Sequence, residues 1–316
     1  MDFSLTNEQQ MIIDTLKTFV EQELYPHEAE VEKTNEIRPE LYAEIKQKAL
    51  DLGLYAANMP EEHGGAGLDS LTLCLMEREL GRANFGLQYI VGRPSNILLA
   101  CKGDQIENYL HASIRGDKVD CLAMTEPNAG SDVRSMQCRA ERDGDDFVIN
   151  GTKHFISHAD VADFVILFAA SGVEETPRGP KKKITSFLID KDTPGFTVEP
   201  GYNSVSHRGY HNSILNFDNC RVHKSQVLGE EDHGFDVANE WLGATRLSVA
   251  AMCLGRAERA LEIATEWAAT RKQFGQSVGK FQGVSFKLAD MATELKAAEL
   301  LTMFAAWKDC TGEMTD

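Results

Sequence analysis

The chain has 316 residues, 42% of them hydrophobic and 26% charged, so it can bury the cores of two or more domains without disulfides or metals. The chain has 32 lysines and arginines and 49 aspartates and glutamates, and the resulting net charge of −17 argues against a nucleic-acid partner. The sequence contains no apolar run of about 18 residues, so we expect no membrane span. The first residues lack the features of a signal peptide, and the seven cysteines are scattered. We therefore expect a cytoplasmic protein with reduced thiols.

Residues 1–117 show helical periodicity and are predicted to form an N-terminal helical domain. In the first helix, Asn7 is a candidate N-cap and Pro26 a candidate terminator. A second helix is predicted over 40–52.

Residues 118–228 carry short β-branched and aromatic runs and are predicted to form a β domain. Asn150-Gly151 lies between two such runs and predicts a hairpin turn. Three lysines, Lys181 to Lys183, follow a segment rich in glycine and proline, which favours an exposed loop tip.

Residues 229–316 return to helical periodicity and are predicted to form a C-terminal helical domain. The last helix is predicted over 284–307, with an inward stripe formed by Leu288, Met291, Leu295, Ala298 and Leu301. Helical, β and helical segments follow one another along the chain without alternating, so an α+β fold is expected instead of a doubly wound sheet. A G-x-G-x-x-G dinucleotide fingerprint is absent from the sequence.

The stretch 122–133 is the strongest candidate for chemistry. It places a sharp loop directly after an apolar run, and its small residues allow backbone N–H groups to approach an anion closely. On residue types alone, a surface turn is the favoured interpretation. Two histidine pairs, His154/His158 and His207/His211, have i, i+4 spacing, but this spacing does not bring side chains together in a strand, so no metal site is predicted.

Four segments together resemble the acyl-CoA dehydrogenases, a family of FAD flavoproteins. They lie at 60–65, 125–133, 150–157 and 271–282, in the order and on the helical, β, helical background that the family shows. The resemblance implies an N-terminal helical domain, a β-barrel-like middle domain and a C-terminal helical bundle. It also implies an acyl-CoA substrate, an electron-transfer flavoprotein as partner, and a homodimer or homotetramer active in fatty acid metabolism.

The resemblance also assigns roles to individual residues. Leu122 to Ser131 would wrap the flavin, and the segment around Ile156 would lie against the other flank of its ring. The segment 271–282 would reach the FAD of a neighbouring subunit. The cofactor-binding residues implied are Leu122, Met124, Thr125, Gly130, Ser131, Phe155, Ile156, Ser157, Arg271, Gln273, Phe274, Phe281 and Gln282. The substrate-binding residues implied are Ser131, Thr245 and Arg246.

No catalytic base is identified in the chain. Some branches of the family place the catalytic glutamate where this chain has Thr245, and in most others the base comes from a segment well downstream of Trp307. We therefore expect the chain to be C-terminally incomplete. Glu126 and Asp132 are interpreted as structural residues of the loop. The leading hypothesis is an acyl-CoA dehydrogenase, and the alternatives are a non-catalytic FAD- or CoA-binding subunit and a related flavin oxidase or monooxygenase.

Overall fold

The structure is a computed structural model that describes residues 4–92, 94–177 and 179–312. The prediction about a leader peptide rests largely on residues outside this range. Among the described residues, none of the helices has the length and apolar character needed to cross a bilayer. The described residues form two compact units: the helical unit, within 1–30, 68–88 and 243–316, and the β unit, within 31–67 and 89–242.

The elements confirm the predicted succession of helical, β and helical segments. The helices are α1 (Asn7–Phe19), α2 (Glu28–Thr34), α3 (Pro39–Asp51), α4 (Ser70–Leu80), α5 (Phe85–Ile90), α6 (Ala112–Ile114), α7 (Gly234–Thr270) and α8 (Gln282–Cys310). The strands are β1 (Asp120–Ala123), β2 (Arg139–Asp143), β3 (Asp146–Ser157), β4 (Phe164–Thr176), β5 (Gly179–Asp190), β6 (Phe196–Pro200), β7 (Asn212–His223), β8 (Val227–Leu228), β9 (Lys272–Gln273) and β10 (Gln276–Ser277). The domain boundaries at 117/118 and 228/229 stay predictions.

The first helix starts and ends differently from its prediction. Thr6, and not Asn7, is the N-cap, because its hydroxyl accepts the N–H of Gln9 while the Gln9 side chain accepts the N–H of Thr6. This reciprocal capping box satisfies two otherwise unpaired N–H groups. Pro26 does not end the helical backbone, since it lies at the start of a 3₁₀ turn that follows a π-helical turn. Proline is tolerated there because its missing N–H is not needed in a first turn.

The large sheet positions the candidate site. Its strands are hydrogen-bonded in the order β6-β7-β3-β2-β4-β5-β8, with β1 parallel to β4. Alternate side chains of β4 enter two different cores: Val165 and Leu167 pack in one formed by the sheet, and Phe164 and Ile166 in one shared with helical segments of the same unit. This alternation follows from the two-residue period of a strand. Since β4 is buried on both faces, β1 and the loop after it have a fixed support.

The predicted hairpin at Asn150-Gly151 is wrong. The strand β3 runs straight through this dipeptide, and its pairing with β7 shifts register between Ile149 and Gly151. A Cβ at Gly151 would lie 2.6 Å from Cys138 Cα, so glycine is required here for a close approach of two backbones and not for a turn. The hairpin lies instead at Asp143–Asp146, where β2 meets β3.

The lysine triplet is not a loop tip. Lys181, Lys182 and Lys183 belong to β5, opposite Glu174, Val173 and Gly172 of β4. Only Lys181 is exposed, and the other two are half-buried. The pairing of two long strands therefore overrides the glycine and proline residues that favoured a loop.

The predicted inward stripe of the last helix is also largely wrong in this chain. Met291 and Leu301 are 42% and 70% exposed, and Ala298 is exposed. The apolar cluster that α8 shares with α4 and α7 contains instead Met303 and Ala306, which pack with Cys74 and Ala251. Apolar periodicity identified the helix correctly, but it could not decide which of several apolar faces is covered within one chain.

Candidate active site

A buried ion pair anchors the loop that follows β1. The ammonium of Lys153 on β3 donates to Glu126 Oε1 at 2.8 Å and to the Met124 carbonyl at 2.9 Å. The two side chains are 0% and 4% exposed. Glu126 also accepts the backbone N–H groups of Gln137 and Cys138. A buried carboxylate with this many donors is satisfied and fixed in place, so Glu126 supports the loop and is unsuited to act as a mobile base.

The same strand ties the loop to a second candidate segment. The His154 N–H donates to the Thr125 carbonyl at 2.8 Å, directly before Phe155. The pairing of β3 with β7 shifts register between Lys153 and Ile156, and Phe155 takes φ +56°. A bulge of this kind re-aims a side chain, and the left-handed backbone of a bulky residue is strained. As a result the Phe155 ring is 54% exposed beside His154 and Tyr202.

The structure brings the predicted residues of these two segments together. They differ in which of their atoms are exposed to a ligand. Met124 and Ile156 have buried side chains in the cores, and Leu122 packs against one, so these residues offer a ligand mainly backbone atoms. Thr125 is half-buried, and its hydroxyl bonds to none of the described residues. Gly130 and Ser131 are exposed. The Ser157 hydroxyl donates to Asn212 Oδ1 at 3.1 Å.

The predicted residues after α7 form a separate protruding group in the helical unit. Lys272 and Gln273 pair with β10 around a two-residue turn, Phe274-Gly275, in which both residues have positive φ. Phe274 is 93% exposed and contacts Phe281 edge-to-face at 6.2 Å. Arg271 and Gln282, which begins α8, are also exposed. The left-handed φ of +51° at Phe274 is the conformation that the first position of such a two-residue turn requires, although it is strained for a bulky residue.

The two predicted substrate residues lie on α7, within the helical unit. Thr245 is half-buried and Arg246 is exposed. Neither the Thr245 hydroxyl nor the Arg246 guanidinium is hydrogen-bonded to another residue in the described part of the chain. Both side chains are therefore available to a ligand.

The sequence did not predict the structural role of His158, which lies in the chain directly after the segment of Phe155 to Ser157. His158 follows β3 with φ +62°, stacks on Tyr89 with ring centroids 4.1 Å apart, and meets Tyr210 edge-on. Burial lowers the pKa of His158 to about 4, so the ring is neutral at pH 7. Its Nε2 has no hydrogen-bond partner among the described residues. The i, i+4 spacing of His154 and His158 is one that metal ligands can have, but the His158 ring packs in an aromatic cluster.

The residues fit an FAD group on the observations above. A flavin needs flat apolar contacts for its ring, hydroxyl or N–H donors at the ring edge, and a cation for its pyrophosphate. The exposed ring of Phe155 and the hydroxyl of Thr125, which bonds to none of the described residues, supply the first two of these chemistries. The exposed guanidinium of Arg271, which belongs to the other unit, has the chemistry of the third.

Three family models match the chain in succession. They are the acyl-CoA dehydrogenase N-terminal domain over residues 6–117, the middle domain over 121–220 and the C-terminal domain over 232–315. The chain belongs to the acyl-CoA dehydrogenase family. It is accordingly an FAD-dependent oxidoreductase, and its fold is that of the family.

Individual relatives agree with this assignment. The chain is 35% identical to the 3-(aryl)acrylate reductase of Clostridium sporogenes (strain ATCC 15579), over 98% of this chain and 82% of that protein. Among solved structures, butyryl-CoA dehydrogenase from Megasphaera elsdenii is 33% identical with a TM-score of 0.88, covering 99% of this chain and 82% of that chain. A structure described as an FAD complex of PigA is 26% identical with a TM-score of 0.84, covering 99% and 82%.

Proposed function

We propose that this acyl-CoA dehydrogenase family member removes hydrogen from the α and β carbons of an acyl-CoA thioester and passes the electrons to an electron-transfer flavoprotein. One observation carries the proposal: the loop of Thr125 and the segment of Phe155 are hydrogen-bonded to each other through His154. These are the two stretches that the resemblance assigns to the flavin, and both leave side chains uncovered. Their mutual support gives the pre-organisation that a cofactor site requires.

The chemistry divides between the cofactor and the chain. When bound, FAD accepts the hydride that leaves the β carbon. The chain must orient the thioester, exclude water and provide donors that polarise the thioester oxygen, so that the α proton becomes acidic. A carboxylate within hydrogen-bond reach must then remove that proton. Glu126 does not fit this role, because it is held by Lys153, and we assign no other carboxylate to it.

The roles that we propose for individual residues are based on the exposure and the chemistry of their side chains. The Thr125 hydroxyl and the backbone of the adjoining loop bind the edge of the flavin ring, while Phe155 packs against the ring. Ser131, Thr245 and Arg246 face the substrate. Arg271, Gln273, Phe274, Phe281 and Gln282 reach the FAD held by a second copy of the chain, which makes the protein a homodimer or homotetramer. The 93% exposure of Phe274 in one chain supports this last role.

Anaerobic titration of the FAD-loaded protein with acyl-CoA thioesters tests the proposal. We expect bleaching of the flavin bands by at least one acyl-CoA and recovery of colour when an electron-transfer flavoprotein is added. Bound FAD that no acyl-CoA bleaches would favour the non-catalytic subunit. Reoxidation that requires oxygen and inserts it into a product would favour a monooxygenase.

A reductase is the second candidate, because a relative 35% identical is named a 3-(aryl)acrylate reductase. The same flavin site can run the reaction in either direction, depending on which partner supplies or removes electrons. Reoxidation of chemically reduced, FAD-loaded protein by enoyl-CoA or arylacrylate substrates, faster than the forward bleaching, would favour this alternative.

A further inference from the structure

Phe155 belongs to neither hydrophobic core of the β unit. The shift in register of β3 turns its ring outward, and the residue is 54% exposed. A side chain without core contacts samples several rotamers, and ordering it when a ligand binds costs affinity. A ring that is ordered before the cofactor binds therefore needs contacts from outside the core.

Two aromatic neighbours supply such contacts. The Phe155 ring lies beside His154, with centroids 4.2 Å apart, and beside Tyr202, with centroids 5.1 Å apart. The rings of His154 and Tyr202 meet edge-on, also at 5.1 Å. Each ring thus contacts both of the others, at separations where aromatic pairs attract each other. We call His154, Phe155 and Tyr202 the aromatic trio.

A hydrogen bond connects two members of the aromatic trio. The Tyr202 hydroxyl and His154 Nε2 are hydrogen-bonded at 2.9 Å. The backbone of His154 is itself fixed, because its N–H donates to the Thr125 carbonyl at 2.8 Å. Tyr202 therefore has a polar partner on β3 in addition to its ring contacts, and turning away from Phe155 would lose both.

The loop that carries Tyr202 is held against the same sheet. It follows the end of β6, which pairs with β7, and β7 pairs in turn with β3. A Cβ on Gly201 would lie 2.0 Å from the Asn212 carbonyl oxygen, so glycine lets this backbone lie directly on β7. The position of Tyr202 relative to Phe155 is therefore set by the pairing of three neighbouring strands.

We infer that Tyr202 is a positioning residue for the flavin, because it holds the Phe155 ring in the orientation in which that ring packs against the cofactor. The inference rests on the proposed function for the contact between Phe155 and the flavin. Tyr202 is not among the residues that the resemblance assigns to the cofactor. Ordering the ring during folding raises the affinity for FAD, since that cost no longer falls on binding.

A double-mutant cycle on FAD affinity tests the inference with Tyr202→Ala, Phe155→Ala and the variant that combines them. In flavin fluorescence titrations of the full chain, we expect Tyr202→Ala to weaken FAD binding about five- to tenfold, the cost of ordering one side chain. In the Phe155→Ala background the same substitution should have no further effect, because the ring that it orients is gone. Tyr202→Phe keeps the ring contact and loses only an exposed hydrogen bond, so it should weaken binding about twofold.

Visible circular dichroism of the bound flavin is a second readout, which a change in protein stability alone leaves unaltered. We expect Tyr202→Ala to change this spectrum in the same way as Phe155→Ala, and Tyr202→Phe to restore the spectrum of the wild type. Val205→Ala is the matched control, because Val205 lies in the same loop and is 95% exposed. It should change neither readout.

Several results would overturn the inference. Equal weakening by Tyr202→Ala in both backgrounds would show that Tyr202 acts independently of Phe155, and an equal effect of Val205→Ala would attribute the change to the loop as a whole. Unchanged FAD binding in Tyr202→Ala beside weakened binding in Phe155→Ala would remove the inference and leave the proposed flavin contact in place. Full affinity in Phe155→Ala would overturn that contact, and the inference with it. Bleaching by acyl-CoA enters none of these results, so a failure of the proposed reaction is seen separately.

Discussion

At the scale of single residues, Phe155 combines a strained backbone with an exposed ring, which we propose packs against the flavin. A left-handed backbone costs a bulky residue about 1–2 kcal/mol, and the ring gains little packing because it is half in solvent. We predict that Phe155→Gly raises the thermal stability of the FAD-free protein while weakening FAD binding. Phe155→Ala removes the ring but keeps the strain, so it should weaken FAD without the gain in stability. Thermal unfolding and flavin fluorescence titration of both variants check this, and unchanged FAD affinity would contradict it.

The pair of Lys153 and Glu126 is predicted to matter for folding of the β unit. Removing one partner of a buried pair leaves the other charge uncompensated, which costs about 3–5 kcal/mol. We expect Lys153→Met to lower the free energy of unfolding by about 3 kcal/mol in urea titrations. Lys224→Met, which breaks the exposed pair with Asp145, should change it little. Equal effects of the two substitutions would refute a structural role for the buried pair.

His158 gives a prediction about pH. Burial lowers its folded pKa to about 4, whereas in the unfolded chain it titrates near 6.5. The unfolded state therefore binds a proton first, and stability is lost as pH falls from about 6.5 to about 4, by up to about 3 kcal/mol. Asp120 acts oppositely, since burial raises its pKa to about 6 and its contribution is lost as pH rises.

Comparison with a variant isolates the contribution of His158. We expect the stability of His158→Asn, relative to wild type, to improve as pH falls through this window, measured by unfolding midpoints at several pH values. A constant difference between His158→Asn and wild type would show that the ring is not kept neutral.

At the scale of elements, β3 positions the residues of the candidate site. This one strand contains Lys153, which pairs with Glu126, and His154, whose N–H donates to the Thr125 carbonyl. It also contains Phe155, which lies where the pairing with β7 shifts register. Its straight passage through Asn150-Gly151 depends on the missing Cβ of Gly151. We predict that Gly151→Ala lowers the free energy of unfolding by more than about 3 kcal/mol, since it forces apart two backbones. Gly144→Ala, at a turn with open space around it, should cost only about 1 kcal/mol of left-handed strain. Urea unfolding compares the two, and equal costs would contradict the close-approach argument.

At the scale of the whole molecule, exposed apolar side chains on α7 and α8 favour association. Trp267 and Leu301 are 64% and 70% exposed, and such residues cost free energy when they are left in water. We expect sedimentation to show a dimer or tetramer, and Trp267→Asp with Leu301→Asp to shift it toward monomer. FAD affinity should fall with the degree of dissociation if a second copy completes the site. A wild-type monomer that binds FAD fully would contradict both expectations.

The sequence by itself determined the order of helical and β segments, the family, and hence FAD, because periodicity and short motifs are local properties. It also located the loop of Thr125 and the segment of Phe155. Tertiary structure alone decided that Asn150-Gly151 lies inside a strand, that the lysine triplet lies in a strand, and that Glu126 is paired with Lys153. Each of these depends on which backbone or charge lies opposite in space, and a partner 27 residues away leaves no periodic signal in the chain. For the same reason, the apolar pattern of α8 predicted the helix but not which of its apolar side chains are buried.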